Sequence, residues 1–163
     1  MTQALEEPYM IIVLSCCNRK TGNLIHLGKN DIYFVSKVQL AHGEQGKLYC
    51  HPDDNMPNSK ITWRELIEKQ ENGNKLKKAY QLYSPEIYRE LYEKYKERFF
   101  IFSAGWGIIK SDYCIPKYNV TFSKSSKVPK YSYRHKNDIY KDFNHLINAD
   151  CNEAILLIAG STN

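Results

Sequence analysis

Three short runs of uninterrupted apolar residues constrain the fold of this chain more than any other feature. They cover residues 9–15, 99–104 and 154–159. Apolar residues that follow one another without alternation are typical of strands buried on both faces of a parallel sheet. Helical patterns separate the runs, and strands that alternate with helices indicate an α/β domain. We therefore predict an α/β fold for residues 1–163, a single domain whose mostly parallel sheet is flanked by helices.

Local signals place helices between the predicted strands. Thr62 and Glu65 have the spacing of a capping box, which predicts that a helix begins just after Thr62. Ser84 followed by Pro85 predicts the start of a second helix, because serine caps helices and proline suits their first position. A third helix is predicted over residues 138–148, where apolar residues fall on one helical face.

Two segments and the end of the chain depart from this pattern. Residues 31–40 suit either a strand or a short helix. Turn-forming residues dominate 41–60, which predicts a loop-rich insertion. Few residues follow the last predicted strand, where a doubly wound sheet usually continues with a helix. A C-terminally truncated chain is therefore a second interpretation of residues 1–163.

The composition argues against several classes of protein. The apolar runs reach about seven residues, whereas a helix that spans a bilayer needs about 20, so we predict no membrane partner. Residues 1–8 hold two glutamates and no basic region, which argues against a secretory signal. Five cysteines at irregular spacing argue against a disulfide framework or a zinc site. We expect a cytoplasmic protein without a metal ion or cofactor, and the sequence predicts no oligomeric state.

The loop after the first strand contains the densest chemistry. Ligands of open parallel sheets bind at the carboxyl ends of the strands, and this end offers Ser15, Cys16, Cys17, Arg19 and Lys20. The neighbouring cation Arg19 should lower the pKa of Lys20, whose amine would then attack a carbonyl or hold a phosphate. The same cations would make Cys16 or Cys17 nucleophilic. The alternative is a solvated polar loop in which one cysteine packs inward.

Four short motifs resemble elements of the YaaA-like superfamily, and the first also resembles a segment of archaeosine synthase. They lie in family order at residues 15–20 (Ser-Cys-x-x-x-Lys), 79–84, 102–109 and 112–122. The resemblance implies an α/β domain associated with nucleic acid, modified nucleobases or the stress response. It also implies that Lys20 is a nucleophile toward a deazaguanine-type base and that Cys16 is its neighbour in the pocket.

A second loop, over residues 104–118, is predicted to form the other wall of the site. The substrate-binding candidates are Ser15 and Arg19 from the first loop, with Ser103, Gly105, Trp106, Gly107 and Tyr118. The glycines would let the backbone approach a ligand, and Trp106 would stack on a base. Asp112 is the candidate acid or base, beside Lys20 and Cys16 as catalytic candidates. The alternative is an ordinary turn packed by Trp106, with Asp112 capping a loop.

A basic, tyrosine-rich stretch extends over residues 110–136. It holds seven cations against one carboxylate, a local charge of +6 that exceeds the +5 of the whole chain. Lysines neutralise phosphates while tyrosines stack on unpaired bases, as on surfaces that bind single strands. The nucleic-acid-binding candidates are Lys117, Lys124, Lys127, Lys130 and Arg134. The alternative is a solvated loop.

These features lead to one main hypothesis and two others. The first is a YaaA-like enzyme acting on a nucleobase or nucleotide, free or within nucleic acid, with Lys20 as nucleophile or anchor. The second is a non-catalytic module that binds DNA or RNA through residues 110–136. The third is a fragment of a larger enzyme. Nucleotides, modified bases or nucleic acid are the expected partners.

Overall fold

The structure, a computed structural model, describes residues 10–41, 43–71, 76–123, 141–148 and 152–160. Ten strands and three α-helices lie in this part of the chain. The strands are β1 (Met10–Ser15), β2 (Ile25–Leu27), β3 (Asn30–Phe34), β4 (Lys47–Cys50), β5 (Lys77–Lys78), β6 (Phe99–Ser103), β7 (Gly107–Lys110), β8 (Cys114–Ile115), β9 (Phe143–Asn144) and β10 (Ala154–Ile158). The helices are α1 (Trp63–Glu68), α2 (Ala79–Leu82) and α3 (Ile87–Tyr95).

The three apolar runs form adjacent strands, which confirms that part of the prediction. They lie in a five-stranded sheet of order β10-β1-β6-β7-β9, and β1 pairs in parallel with both β10 and β6. The register sets Ser15 opposite Phe102, so β1 and β6 end at the same edge. We call this the carboxyl edge of the sheet. Beyond β6 the pattern changes, because β7 runs antiparallel to β6.

The predicted mostly parallel sheet flanked by helices is wrong. Among the described residues the strands form three sheets, since β2-β3-β4 and β5-β8 form sheets of their own. The helices are only six, four and nine residues long. The long connection between β1 and β6 contains the three-stranded sheet as well as all three helices, so strands replace much of the helical cover that was predicted. The architecture is a mixed one, with more strand than helix.

The helix predictions had mixed outcomes. The capping box of Thr62 and Glu65 is present at the start of α1, which confirms that prediction. The second helix begins at Ile87 instead of directly after Ser84. The third predicted helix is wrong over the part that the structure describes, because residues 143–144 form β9 and residues 145–148 form a 3-10 turn.

The main core lies between the five-stranded sheet and the three-stranded sheet. It joins Ile12 of β1 and Ile101 of β6 to Ile32 of β3, with Trp63 of α1 and Trp106 also buried. The opposite face of the large sheet has a much smaller apolar cluster around Ile11, Val13 and Phe100. Within the predicted insertion 41–60, β4 pairs in parallel with β3, so this segment belongs to the second sheet.

Strand β10 shows why an apolar run does not guarantee burial. Its side chains are exposed although the strand pairs with β1 along its whole length. Ile155 is 55% exposed and Leu157 is 59% exposed. None of the helices in the described residues has the length and apolar character needed to cross a bilayer.

Candidate functional site

The loops that follow β1 and β6 contact each other at the carboxyl edge. The backbone N–H of Cys16 donates to the Phe102 carbonyl at 2.8 Å, which continues the pairing of the two strands by one residue. The N–H of Ala104 donates in turn to Cys16 Sγ at 3.3 Å. The edge therefore holds the first cysteine of one loop against the first residues of the other.

A second set of backbone contacts fixes the loop that contains Lys20. Lys20 forms an isolated antiparallel bridge with Tyr83, just after α2. On either side of it, Thr21 N–H donates to the Leu82 carbonyl at 2.8 Å and Ser84 N–H donates to the Arg19 carbonyl at 2.9 Å. These backbone contacts fix the Lys20 loop at the edge of the sheet. The loop is therefore not the freely solvated one that the alternative interpretation predicts.

Three hydroxyl groups form a buried cluster beneath this loop. Tyr118 Oη lies 2.8 Å from the hydroxyl of Tyr83 and accepts a hydrogen bond from Ser103 Oγ, also at 2.8 Å. Ser103 Oγ accepts from the N–H groups of Gly105 and Trp106. Gly105 is needed here, because a Cβ on it would lie 2.8 Å from the Tyr118 ring. Burial raises the pKa of Tyr83 and of Tyr118 well above their usual range, so both hydroxyls stay neutral.

Lys20 is the cation of this site. Its Nζ lies 4.2 Å from the centroid of the Tyr118 ring and 5.8 Å from that of Tyr83. Burial lowers the pKa of Lys20, attraction to Cys16 and Cys17 opposes that change, and nearby Lys117 lowers the pKa further. In the described part of the chain no carboxylate pairs with Nζ. Burial thus desolvates the amine, and among the described residues it lacks the carboxylate partner that a buried charge usually has.

The two adjacent cysteines have different surroundings. Cys16 Sγ accepts a hydrogen bond from Ala104, whereas Cys17 Sγ donates to the Arg19 carbonyl at 3.4 Å. Tyr88 supports this loop from α3 by donating its hydroxyl to the Ser15 carbonyl at 2.7 Å. Of the two thiols, Cys16 is the one that faces the Ser103–Tyr118 cluster.

Two of the predicted site residues, Gly107 and Asp112, lie outside this cluster, and Trp106 contacts it through its backbone N–H and the edge of its ring. Trp106 is fully buried and packs edge-on against Phe34 at 5.1 Å between centroids, so its ring belongs to the core and is not open to a base. Gly107 has a φ of +94° and begins β7. Asp112 is at the opposite end of the sheet, because Ser111 N–H donates to the carbonyl of Phe99, the first residue of β6.

The separation of Asp112 follows from β7. The sequence suggested one continuous loop over 104–118, but β7 pairs antiparallel with β6 and takes the chain away from the carboxyl edge. Phe99 and Ser103 are the two ends of β6, four steps apart, which is about 13 Å at the usual rise. The chain returns to the edge only at Lys117 and Tyr118, where Lys117 N–H donates to the Asn23 carbonyl at 2.8 Å.

The sequence also gave no sign of a buried arginine next to the site. Arg64 of α1 donates through Nε to Asp53 at 2.6 Å, and its Nη2 lies 3.2 Å from Asp142. The same guanidinium donates to the carbonyls of Trp106 and Gly105 at 3.1 and 3.2 Å. We call this arrangement the Arg64 clamp. It fixes the turn that follows Ser103.

The sequence also predicted no role at the site for Tyr83 or Tyr88. Tyr83 lies within the 79–84 motif, but the sequence does not show that its ring is buried beside a lysine 63 positions earlier. For Tyr88 the sequence predicts only that it follows the start of the second helix. Its contact with β1 depends on how α3 packs, and a single sequence does not encode that packing in any readable pattern.

The basic stretch is described only in part. Lys117 is exposed and close enough to Lys20 to lower its pKa. Lys124, Lys127, Lys130 and Arg134 lie outside the described residues. Within those residues, no three His, Cys, Asp or Glu side chains are grouped as they would be to hold a metal ion.

Comparisons with known proteins give no relative. No protein-family model, no curated protein and no solved structure matches this chain.

Proposed function

We propose that the protein is an enzyme that acts on a nucleobase or nucleotide, free or within nucleic acid, at the site around Lys20. The observation on which the proposal rests is the desolvated amine of Lys20, which lies over the Tyr118 ring without a carboxylate among the described residues. Perturbed ionisable groups of this kind are concentrated at functional sites. The amine serves either as the nucleophile or as the anchor of an anionic group.

The charges around Lys20 favour an anionic ligand. Lys117 is exposed beside it, and Arg19 is exposed on the same loop. Several cations near one half-buried amine raise the local concentration of phosphates and strengthen their binding. The half-buried Cys16 side chain adds a further polar group at the same edge for such a ligand to contact.

A non-catalytic DNA- or RNA-binding module is the second candidate. The exposed position of Lys117 favours it, because Lys117 belongs to the basic stretch 110–136 and lies near Lys20. In this case Lys20 is one phosphate contact among several, and its loss weakens binding only in part.

The test is a titration of nucleoside monophosphates and short single-stranded oligonucleotides against wild type and Lys20→Ala, with product analysis by mass spectrometry. Lys47→Ala is the matched control, because Lys47 lies on β4 and pairs with Glu44 away from the site. An enzyme shows turnover that Lys20→Ala abolishes while Lys47→Ala retains it. A binding module shows salt-dependent affinity that survives Lys20→Ala but is lost when Lys124, Lys127 and Lys130 are neutralised. Equal behaviour of all variants toward every ligand overturns the proposal.

A further inference from the structure

The ring of Tyr118 is fixed by contacts that do not involve Lys20. Its hydroxyl belongs to the buried cluster and lies 2.8 Å from each of the two neighbouring hydroxyl oxygens. The ring packs against Gly105, and it meets the Trp106 ring edge-on with 6.4 Å between the centroids. Tyr118 is only 4% exposed. Its ring is therefore a rigid surface on which a flexible neighbour can be held.

Lys20 combines a fixed backbone with a flexible side chain. The bridge to Tyr83 and the hydrogen bonds on either side of it hold the main chain. Four carbons separate that main chain from Nζ, and a lysine stem of this length adopts many conformations when nothing selects one. The Tyr118 ring, whose centroid lies 4.2 Å from Nζ, is the group that selects one here.

The contact between Lys20 and Tyr118 is a cation–π interaction of short range. A cation within about 6 Å of a ring centroid is attracted by the electrons of the ring face, most strongly where water is excluded. The ring contacts of Lys47, Lys94 and Lys96 are longer, at 5.0 to 5.3 Å. Lys47 and Lys96 each pair with a glutamate as well. Lys20 has no carboxylate among the described residues, so the ring is its main partner.

The aromatic rings of this site are not open to a nucleobase. Tyr83 and Trp106 are fully buried, and Tyr118 is nearly so. The Lys20 ammonium has three N–H donors, and the ring covers one side of it, so the donors on the other side remain for the oxygens of a ligand. A phosphate group offers such oxygens together with a negative charge. Lys20 therefore suits the phosphate of a nucleotide better than its base.

We propose that Tyr118 is a positioning residue whose ring face holds the Lys20 ammonium in one place, where that group binds the phosphate of the ligand. This rests on the proposed function, in which a nucleotide occupies the site. The ring holds the ammonium, and the hydroxyl serves only to hold the ring. A phenyl ring at position 118 should therefore preserve the position of Nζ, whereas an aliphatic side chain should not.

The first test is the NMR spectrum of protein that is isotope-labelled at the lysine Cε carbons. Protons above an aromatic face shift upfield, so the Cε protons of Lys20 should give the lysine signal farthest upfield. Lys20→Arg identifies that signal by its loss. Tyr118→Phe should keep the upfield shift, and Tyr118→Leu should abolish it. Lys47, which lies over the Tyr33 ring, reports on folding in the same spectrum.

Three results of the NMR experiment would overturn the proposal. The first is a wild-type Lys20 signal at the position of the exposed lysines. The second is an upfield signal that persists in folded Tyr118→Leu, because another group would then hold the amine. The third is loss of the shift in folded Tyr118→Phe, because the hydroxyl would then matter and not the ring. If Tyr118→Leu does not fold, wild type and Tyr118→Phe decide the question by themselves.

The second test is the binding of adenosine monophosphate, with adenosine as the matched ligand that lacks the phosphate. Wild type should bind the monophosphate at least about tenfold more tightly than adenosine. Tyr118→Leu should lose about tenfold in affinity for the monophosphate, while Tyr118→Phe retains it. Tyr80→Leu is the control, because Tyr80 stacks on Tyr92 of α3. Full affinity in folded Tyr118→Leu overturns the proposal.

The two tests separate failure of the positioning role from failure of the proposed function. The NMR experiment needs no nucleotide, so an upfield Lys20 signal in a protein that binds no nucleotide contradicts the proposed function and not the ring contact. Nucleotide binding that depends on Lys20, together with an unshifted Lys20 signal, contradicts only the role of Tyr118.

Discussion

Two cations on either side of the Tyr118–Gly105 contact, Arg64 and Lys20, have opposite surroundings. Arg64 binds the carbonyl of Gly105, while Lys20 lies over Tyr118, whose ring packs against the same glycine. Arg64 is almost fully buried and contacts two carboxylates, Asp53 and Asp142, as well as two carbonyls. Lys20 is half-buried and has no carboxylate partner in the described residues.

The comparison separates a charge that stabilises the fold from one that is available for chemistry. A buried cation that contacts carboxylates and carbonyls holds these neighbours in place, and its removal takes the cation away from the carboxylates. A desolvated cation without a partner makes folding less favourable, which is typical of a site that awaits a ligand. We therefore expect substitution of Arg64 to lower the free energy of unfolding strongly. Substitution of Lys20 should impair function without lowering the free energy of unfolding.

Removal of the Arg64 guanidinium should have the largest effect on stability. Arg64→Met leaves Asp53 and Asp142 without their buried cation, and breaking such a pair costs about 3–5 kcal/mol. Urea unfolding measures the free energy of unfolding. Lys96→Met is the control, because exposed Lys96 pairs with exposed Glu93 and its loss should change the stability little. A loss for Arg64→Met no larger than that of the control would contradict the structural role of the clamp.

Gly107→Ala should have the next largest effect, because it disturbs the turn whose carbonyls Arg64 binds. Gly107 has a φ of +94°, and an added Cβ would lie 2.8 Å from the Asp142 Cβ and 2.9 Å from the Phe143 nitrogen. Backbone strain and overpacking together should lower the free energy of unfolding by about 2–3 kcal/mol.

Gly46→Ala separates the two causes. Gly46 also has a positive φ, of +79°, but its nearest neighbour is the Lys29 carbonyl at 3.9 Å. Gly46→Ala therefore reports the backbone strain alone, by the same urea unfolding. Equal losses at the two glycines would show that the contacts of Gly107 with residues 142–143 add nothing to the clamp.

Ser103→Ala should have a smaller effect on the side of the turn that faces Lys20. The change leaves the N–H groups of Gly105 and Trp106 without their acceptor. This loss should lower the free energy of unfolding by about 1–2 kcal/mol. Thermal unfolding should show the loss, with Ser59→Ala as the control because Ser59 accepts one hydrogen bond in an exposed turn. Equal melting temperatures for the two variants would mean that the hydroxyl cluster contributes nothing to stability.

The sequence predicts the carboxyl edge better than it predicts the rest of the fold. Continuous apolar runs and the order of the chain place Ser15, Cys16 and Lys20 beside Ser103, because parallel neighbours end at the same edge. Tyr118 also reaches that edge, as predicted, but by a different path. These positions depend on local patterns and on one general property of parallel strands.

The rest of the fold and of the candidate site depends on contacts between residues that are distant in the sequence. Asp112 lies at the opposite end of the sheet because Gly107 turns the chain back as β7, and a single glycine does not reveal whether it lies in a turn or beside a ligand. Trp106 is in the core because its ring packs against Phe34, 72 positions earlier. The expected flanking helices fail for a similar reason, since β2, β3 and β4 are stabilised by pairing with one another and not by local preference.

The smallest expected effect on stability, with the opposite sign, is that of Lys20→Met. Burial lowers the pKa of Lys20 below its ordinary value of 10.5, so the charged form is less favourable in the folded state than in the unfolded state. At neutral pH Lys20→Met should therefore be at least as stable as wild type. Urea unfolding over a series of pH values measures the difference, and Lys60→Met, at an exposed position before α1, is the control.

The pH dependence of the stability difference between wild type and Lys20→Met distinguishes two effects of the substitution. One is relief of the desolvated charge, and the other is loss of the packing of the lysine side chain. Between the folded and the unfolded pKa of Lys20, the unfolded chain binds more protons, so the stability of wild type rises with pH. Lys20→Met lacks this contribution, and its advantage over wild type should shrink as the pH approaches 10.5. A Lys20→Met protein that is less stable than wild type by the same amount at every pH would mean that Lys20, like Arg64, stabilises the fold. The contrast between the two cations would then fail, and with it the reason to place the chemistry at Lys20.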